Sequence, residues 1–129
     1  MTPAQHRGVL IVEDSISIRQ AVSFAVKDAG YDVIEADGGK EALRKLNDAG
    51  IDIVIADLDM KEIDGIEFIR QVRNTLRHRF TPIVVLMTDS QESERQKGKQ
   101  AGANGWVIKP FRPDQLQDVV KRFIRQRPV

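Results

Sequence analysis

The sequence predicts an α/β fold in which five parallel strands form one sheet and helices cover both of its faces. Two observations predict it. Short apolar runs, most of them rich in β-branched residues, recur at Val9–Val12, Asp32–Ala36, Ile51–Ala56, Ile83–Met87 and Gly105–Lys109. Between these runs the apolar residues change to helical spacing, and strands that alternate with helices imply right-handed crossovers into a parallel sheet. The whole alternation fits in 129 residues, the size of one domain. No internal repeat, linker or low-complexity segment interrupts it.

The elements follow in order. Residues 1–8 read as an N-terminal tail and 9–127 as the domain, with no output domain after it. Val9–Val12 is strand one, closed by Glu13-Asp14. Ile18, Ala21, Val22, Ala25, Val26 and Ala29 then mark helix one, capped by Ser15 or Ser17 and stopped by Gly30. Asp32–Ala36 is a weak second strand, followed by an Asp37-Gly38-Gly39 turn and a brief helix through Ala42, Leu43 and Leu46. The run Ile51–Ala56 has Asp52 as its one polar residue and reads as a strand buried on both faces. Helix three follows Asp64-Gly65, with Ile66, Ile69, Val72 and Leu76 on one face. Pro82 opens strand four. Helix four is expected from Ser90, with Asp89 and Glu92 at capping-box spacing. Its run to Gln100 lacks an apolar stripe, so weak packing and mobility are expected there. Trp106-Val107-Ile108 forms strand five, and Pro113 starts a last helix burying Leu116, Val119, Val120, Phe123 and Ile124.

Composition removes several classes of function. The chain has no cysteine, which excludes disulfides, thiolate metal sites and cysteine nucleophiles. No apolar run nears the roughly 20 residues of a membrane span, and Met1–Gly8 lacks the apolar segment of a signal peptide, so a cytoplasmic location is expected. The net charge of +1 hides an asymmetry, since residues 1–94 carry net −6 and residues 95–129 net +7. The basic half is either ordinary helix surface or a face for an acidic partner. Direct nucleic-acid binding is not expected, because no recognition motif accompanies the charge.

Glu13-Asp14, Asp57 and Lys109 follow strands one, three and five, and in a parallel sheet these ends share one edge. Each alone has a plain structural reading as a turn, a cap or a solvated lysine. Together they place three carboxylates where they repel one another, which a divalent cation and an ammonium group would relieve. Oxygen donors of this kind suit Mg²⁺.

These residues resemble the response-regulator receiver domain, specifically its stand-alone chemotaxis branch. The likeness rests on Glu13-Asp14, Asp57, Asp64-Gly65, Ala101-Gly102-Ala103 and Lys109-Pro110-Phe111, and spans about residues 8–126. It implies a flavodoxin-like sheet in the order 2-1-3-4-5. It also implies that Asp57 accepts a phosphoryl group from a sensor histidine kinase. Asp14, Asp57 and the backbone carbonyl of Asp59 would hold Mg²⁺, with Glu13 on a metal-bound water. Lys109 would contact the phosphoryl oxygens and join Pro110 through a cis bond. The signal would pass to a separate protein docked on helix four, strand five and helix five.

The sequence departs from that family at strand four. The family's switch Ser or Thr falls on Met87 at ungapped spacing, and a thioether cannot donate to a phosphoryl oxygen. Either Thr88 substitutes through a local shift or the switch is weakened. Lys61 stands where many members have proline, and Trp106 stands at the switch aromatic. Two rivals follow. One is a degenerate receiver that docks a partner without phosphorylation. The other is a haloacid-dehalogenase-type phosphatase, suggested by Asp57-Leu58-Asp59, which fits poorly because that family carries the pattern after its first strand on a longer chain.

Overall fold

The computed structural model describes residues 8–47 and 50–126, with side chains to residue 124. Of the expected tail at 1–8, residues 1–7 lie outside the described residues, as does Arg127, while Gly8 belongs to the first strand. Strands β1 (Gly8–Val12), β2 (Asp32–Ala36), β3 (Ile53–Asp57), β4 (Ile83–Met87) and β5 (Gly105–Ile108) alternate with helices α1 (Ile16–Asp28), α2 (Gly39–Lys45), α3 (Gly65–Asn74), α4 (Glu92–Ala101) and α5 (Pro113–Gln126). The strands pair in parallel in the order β2-β1-β3-β4-β5, the order expected.

The side-chain period of two splits the core into two layers. Leu10, Val12, Val54, Ala56, Val85 and Met87 face α2 and α3, where Ala42, Leu46, Phe68, Ile69 and Val72 meet them. Val9, Ile11, Ile53, Ile55, Val84 and Leu86 face α1 and α5, meeting Val22, Val26, Leu116 and Val120. β1, β3 and β4 are buried along their whole length, as strands covered on both faces must be. Their carboxyl ends are therefore held rigidly at one edge.

Several details differ from the sequence reading, beginning with β3, which starts at Ile53 rather than Ile51 and includes Asp57. On α1, Ala21 is exposed and Ser23 is buried, because the helix presents Val22, Ser23, Ala25 and Val26 to the sheet. Leu76 does not continue the α3 face. The helix ends at Asn74, Thr75 is extended (φ −83°, ψ 120°), and Leu76 restarts in a 3₁₀ turn (Leu76–His78) at 80% exposure. Phe68 fills the α3 interface instead. The cap before α4 is formed by Thr88 and Gln91 around a 3₁₀ turn (Asp89–Gln91), not by Asp89 and Glu92. β5 stops at Ile108, one residue short of Lys109.

α4 buries only Gly98 fully, which agrees with its polar sequence. Its cover comes from β5: a Cβ at Gly98 would lie 2.7 Å from Cη2 of Trp106, so the indole ring packs closely against the helix at that position. Arg95 holds its guanidinium 5.4 Å from the centre of the same ring.

Candidate functional site

Asp57 is the last residue of β3 and is 3% exposed. Lys109 follows β5, and its Nζ donates to Asp57 Oδ1 at 3.1 Å. The lysine backbone is pinned by a 2.7 Å bond from its N–H to the Met87 carbonyl, and Lys109-Pro110 is cis. The Asp59 N–H points at Asp57 Oδ1 from 3.4 Å, while the Asp59 side chain is exposed. The loop after Asp57 closes tightly, with Gly65 N–H donating to the Leu58 carbonyl at 2.9 Å. A Cβ at Gly65 would fall 2.7 Å from the Leu58 backbone, so glycine is required for that closure.

Glu13 leaves β1 and is 1% exposed. Its Oε2 accepts from Ser15 N–H at 3.0 Å, and its Oε1 is buried with no hydrogen-bond partner, 4.0 Å from Lys109 Nζ. Burial pushes the Glu13 carboxyl up to about 8 from 4.5; the Ser15 N–H opposes this, the Asp57 carboxylate adds to it, and Lys109 opposes it weakly. Asp14 is half-buried, and Glu13, Asp14 and Asp57 each offer an oxygen within 4.8 Å of the others. The three carboxylates and the lysine therefore converge as expected.

That convergence fits a small hard cation. All the donors are oxygens, and one buried carboxylate oxygen lacks any partner, a cost that a cation or its bound water would remove. Asp59 is not in the carboxylate cluster, and only its backbone lies near.

The residues around strand four are arranged differently. Met87 ends β4 opposite Ile108 and is fully buried in the α2–α3 layer of the core. Thr88 turns to the other side. Its hydroxyl meets Ser90 Oγ at 2.8 Å and Gln91 Oε1 at 3.2 Å, and its N–H donates to Gln91 Oε1 at 2.9 Å. It shares with Lys109, Pro110, Phe111, Ser17 and Ala21 a cleft of about 420 Å³ beside the carboxylates. Trp106 is half-buried on the edge strand.

Three supports escaped sequence reading. Arg19 donates to the Glu13 carbonyl at 2.7 Å and pairs with Glu35 at 3.1 Å, bracing the β1–α1 turn. Its place one turn into α1, after the Ser15 cap, was the available signal. Arg73 ties the end of α3 to the Gly102 carbonyl at the end of α4, buried His78 ties the turn after α3 to the Leu46 carbonyl, and no spacing in the sequence announces either pairing.

Comparison with known proteins agrees with this geometry. Residues 9–121 match the response regulator receiver domain family. The chain is similar to the chemotaxis protein CheY4 of Vibrio cholerae, with 44% identity and a TM-score of 0.87 over 92% of this chain and 98% of that one. It is 34% identical over 118 residues to the transcriptional regulatory protein ResD of Bacillus subtilis, covering 92% of this chain and 48% of ResD. It thus spans about half the length of the first curated relatives that it matches. The receiver domain of the sensor histidine kinase PA1611 of Pseudomonas aeruginosa is 26% identical with a TM-score of 0.86, over 94% of this chain and 99% of that domain, and that structure holds a magnesium ion in its active-site cleft. Strand order, the carboxylate cluster and its lysine, and the match over residues 9–121 lead to one conclusion: the chain belongs to the response regulator receiver domain family of two-component, phosphorylation-dependent signalling.

Proposed function

We propose that Asp57 accepts a phosphoryl group from the phosphohistidine of a sensor histidine kinase and that the phosphorylated protein signals by docking a separate partner. The 3.1 Å contact between Lys109 Nζ and Asp57 Oδ1, inside a cluster of three carboxylates, carries this reading. An oxygen of Asp57 forms the new bond to phosphorus as the P–N bond breaks. The bonding pair stays on the imidazole nitrogen that had held phosphorus, and with the proton already on the other ring nitrogen the histidine leaves as neutral imidazole. Lys109 neutralises charge on the phosphoryl oxygens, and the closed Leu58–Gly65 loop holds the acceptor in place. Glu13, Asp14 and Asp57, with the Asp59 carbonyl, would hold Mg²⁺. When bound, that ion neutralises the phosphoryl group and the carboxylates. The chain is a signalling module that acts only on its own phosphorylation state, without turnover of a free substrate.

The docking face is formed by α4, β5 and α5. Trp106, Ile108, Val119 and Arg122 line a groove of about 280 Å³ there, and Lys97, Lys99 and Lys121 are exposed beside it. Arg125, expected to join this basic group, lies outside the described side chains. A second reading, a docking module that works unphosphorylated because Met87 takes the switch position, loses its main support, since Met87 is buried in the α2–α3 core layer and it is Thr88 that lines the Lys109 cleft.

Acetyl phosphate with Mg²⁺ should add one phosphoryl mass to the wild type and none to Asp57→Asn, read by intact mass spectrometry. Undiminished labelling of the Asn variant would overturn the assignment.

A further inference from the structure

We propose that the loop between α3 and β4, Leu76-Arg77-His78-Arg79-Phe80, docks the protein onto an anionic lipid surface. Of the large apolar side chains exposed among the described residues, the two most exposed are Leu76 at 80% and Phe80 at 84%, and both sit on this loop. Arg77 and Arg79 are exposed between them and have no carboxylate partner among the described residues. Arg79 carries its guanidinium 5.5 Å from the centre of the Phe80 ring, so charge and aromatic surface are offered as one unit.

The loop is held in this posture by buried anchors. His78 is 2% exposed, and its ring meets Thr81 Oγ1 at 2.9 Å and the Leu46 carbonyl at 3.1 Å. Arg73 donates to the carbonyls of His78 and Thr81 at 3.0 and 2.7 Å. The other side of its guanidinium is fixed on the Gly102 carbonyl and Asn104 Oδ1, each at 2.7 Å. A loop pinned at its middle and beyond its end cannot fold Leu76 and Phe80 inward. They are presented before any partner arrives, which lowers the ordering cost of docking.

The shape and charge select the occupant. A tip of five residues is too small for a stable protein interface, which needs about 800 Å² per partner. A lipid headgroup layer accepts single Leu and Phe side chains at its boundary while arginines pair with phosphates. The loop leads into β4 and so lies at the amino edge of the sheet, whereas Glu13, Asp14 and Asp57 lie at the carboxyl edge. Docking through the loop keeps the acidic cluster turned away from an anionic surface. This inference does not rest on phosphorylation.

The test is co-sedimentation of the full 129-residue chain with phosphatidylglycerol or phosphatidylcholine vesicles at low ionic strength. Binding is expected to phosphatidylglycerol only. Leu76→Ser with Phe80→Ser should lower the apparent affinity at least tenfold, and Arg77→Glu with Arg79→Glu should reduce it to baseline. Lys121→Glu with Arg122→Glu, on α5, should change it little. All four replaced loop side chains are exposed, so melting temperatures should stay near wild type and confirm folding. Absence of binding, equal binding to phosphatidylcholine, or full binding by the loop variants would overturn the proposal. So would a rise in mass with concentration, without vesicles, that the loop substitutions remove, because the loop would then join copies of this chain.

Discussion

Glu13 holds the most perturbed environment in the site. Its carboxyl is pushed up to about 8 by burial, against 4.5 for an ordinary glutamate. Between those values the native state keeps a proton that the unfolded chain has released, so stability falls as pH rises through that window. The metal-free protein should melt at a lower temperature at pH 8 than at pH 5.5, and Glu13→Gln should flatten the difference. Circular dichroism melts across that range check it; a melting point that rises with pH and ignores Glu13→Gln would contradict the assignment. Asp57, Glu13, Asp14 and Lys109 were legible in the sequence because parallel strands deliver their ends to one edge whatever the helices do. Arg19 was not, since a single arginine on a helix reveals its carbonyl partner only once the turn is built.

At the scale of an element, β4 decides how the site communicates. Met87 ends that strand with its thioether in the core layer against which Trp106 and Ile108 pack, and Thr88 faces the Lys109 cleft with its hydroxyl already bonded to Ser90 and Gln91. Strand alternation sets Thr88 on the face of the sheet that carries Asp57 and Lys109, so its hydroxyl is the one placed to give a phosphoryl group a charge-assisted bond of about 1.5–3 kcal/mol, whereas a hydroxyl at residue 87 would point into the core. Trp106 is the only tryptophan, so its fluorescence reports on β5 directly. Phosphorylated wild type should show a change that Thr88→Ala largely removes and that Met87→Thr does not enlarge. If Thr88→Ala leaves the response intact while Met87→Thr enlarges it, Thr88 is not the coupling hydroxyl. Strand bounds were readable to within two residues because apolar runs end abruptly. The caps were not: Asp89 and Glu92 have the right spacing for a capping box, yet Thr88 and Gln91 also do, and spacing cannot rank two overlapping candidates. Leu76 failed for a similar reason, because helical periodicity carries no sign that Thr75 would leave the helix.

For the molecule as a whole, like charges gathered at one edge of a rigid sheet are a standing cost that a cation would offset. Mg²⁺ at about a hundred times its dissociation constant should stabilise the fold by about 2.7 kcal/mol, a rise in melting temperature on the order of 10 °C. Asp14→Ala should remove most of that rise, measured by calorimetry with and without the ion. An unchanged melting temperature in wild type would rule out the metal site described here. The order of the sheet and its two core layers were open to sequence reading because central strands are apolar on both faces. The tie from Arg73 to Gly102, which closes the opposite edge, depends on chain segments 29 residues apart and left no local trace. The meeting of Gly98 with Trp106 has a further consequence, for descent. With 2.7 Å between a would-be Cβ and the ring, the two positions cannot vary freely. A lineage that enlarges residue 98 must also shrink residue 106 or swing its ring aside, so changes at the two positions are coupled. Homologues carrying a bulky residue at 98 beside an intact tryptophan should be rare among those that keep α4 in this place.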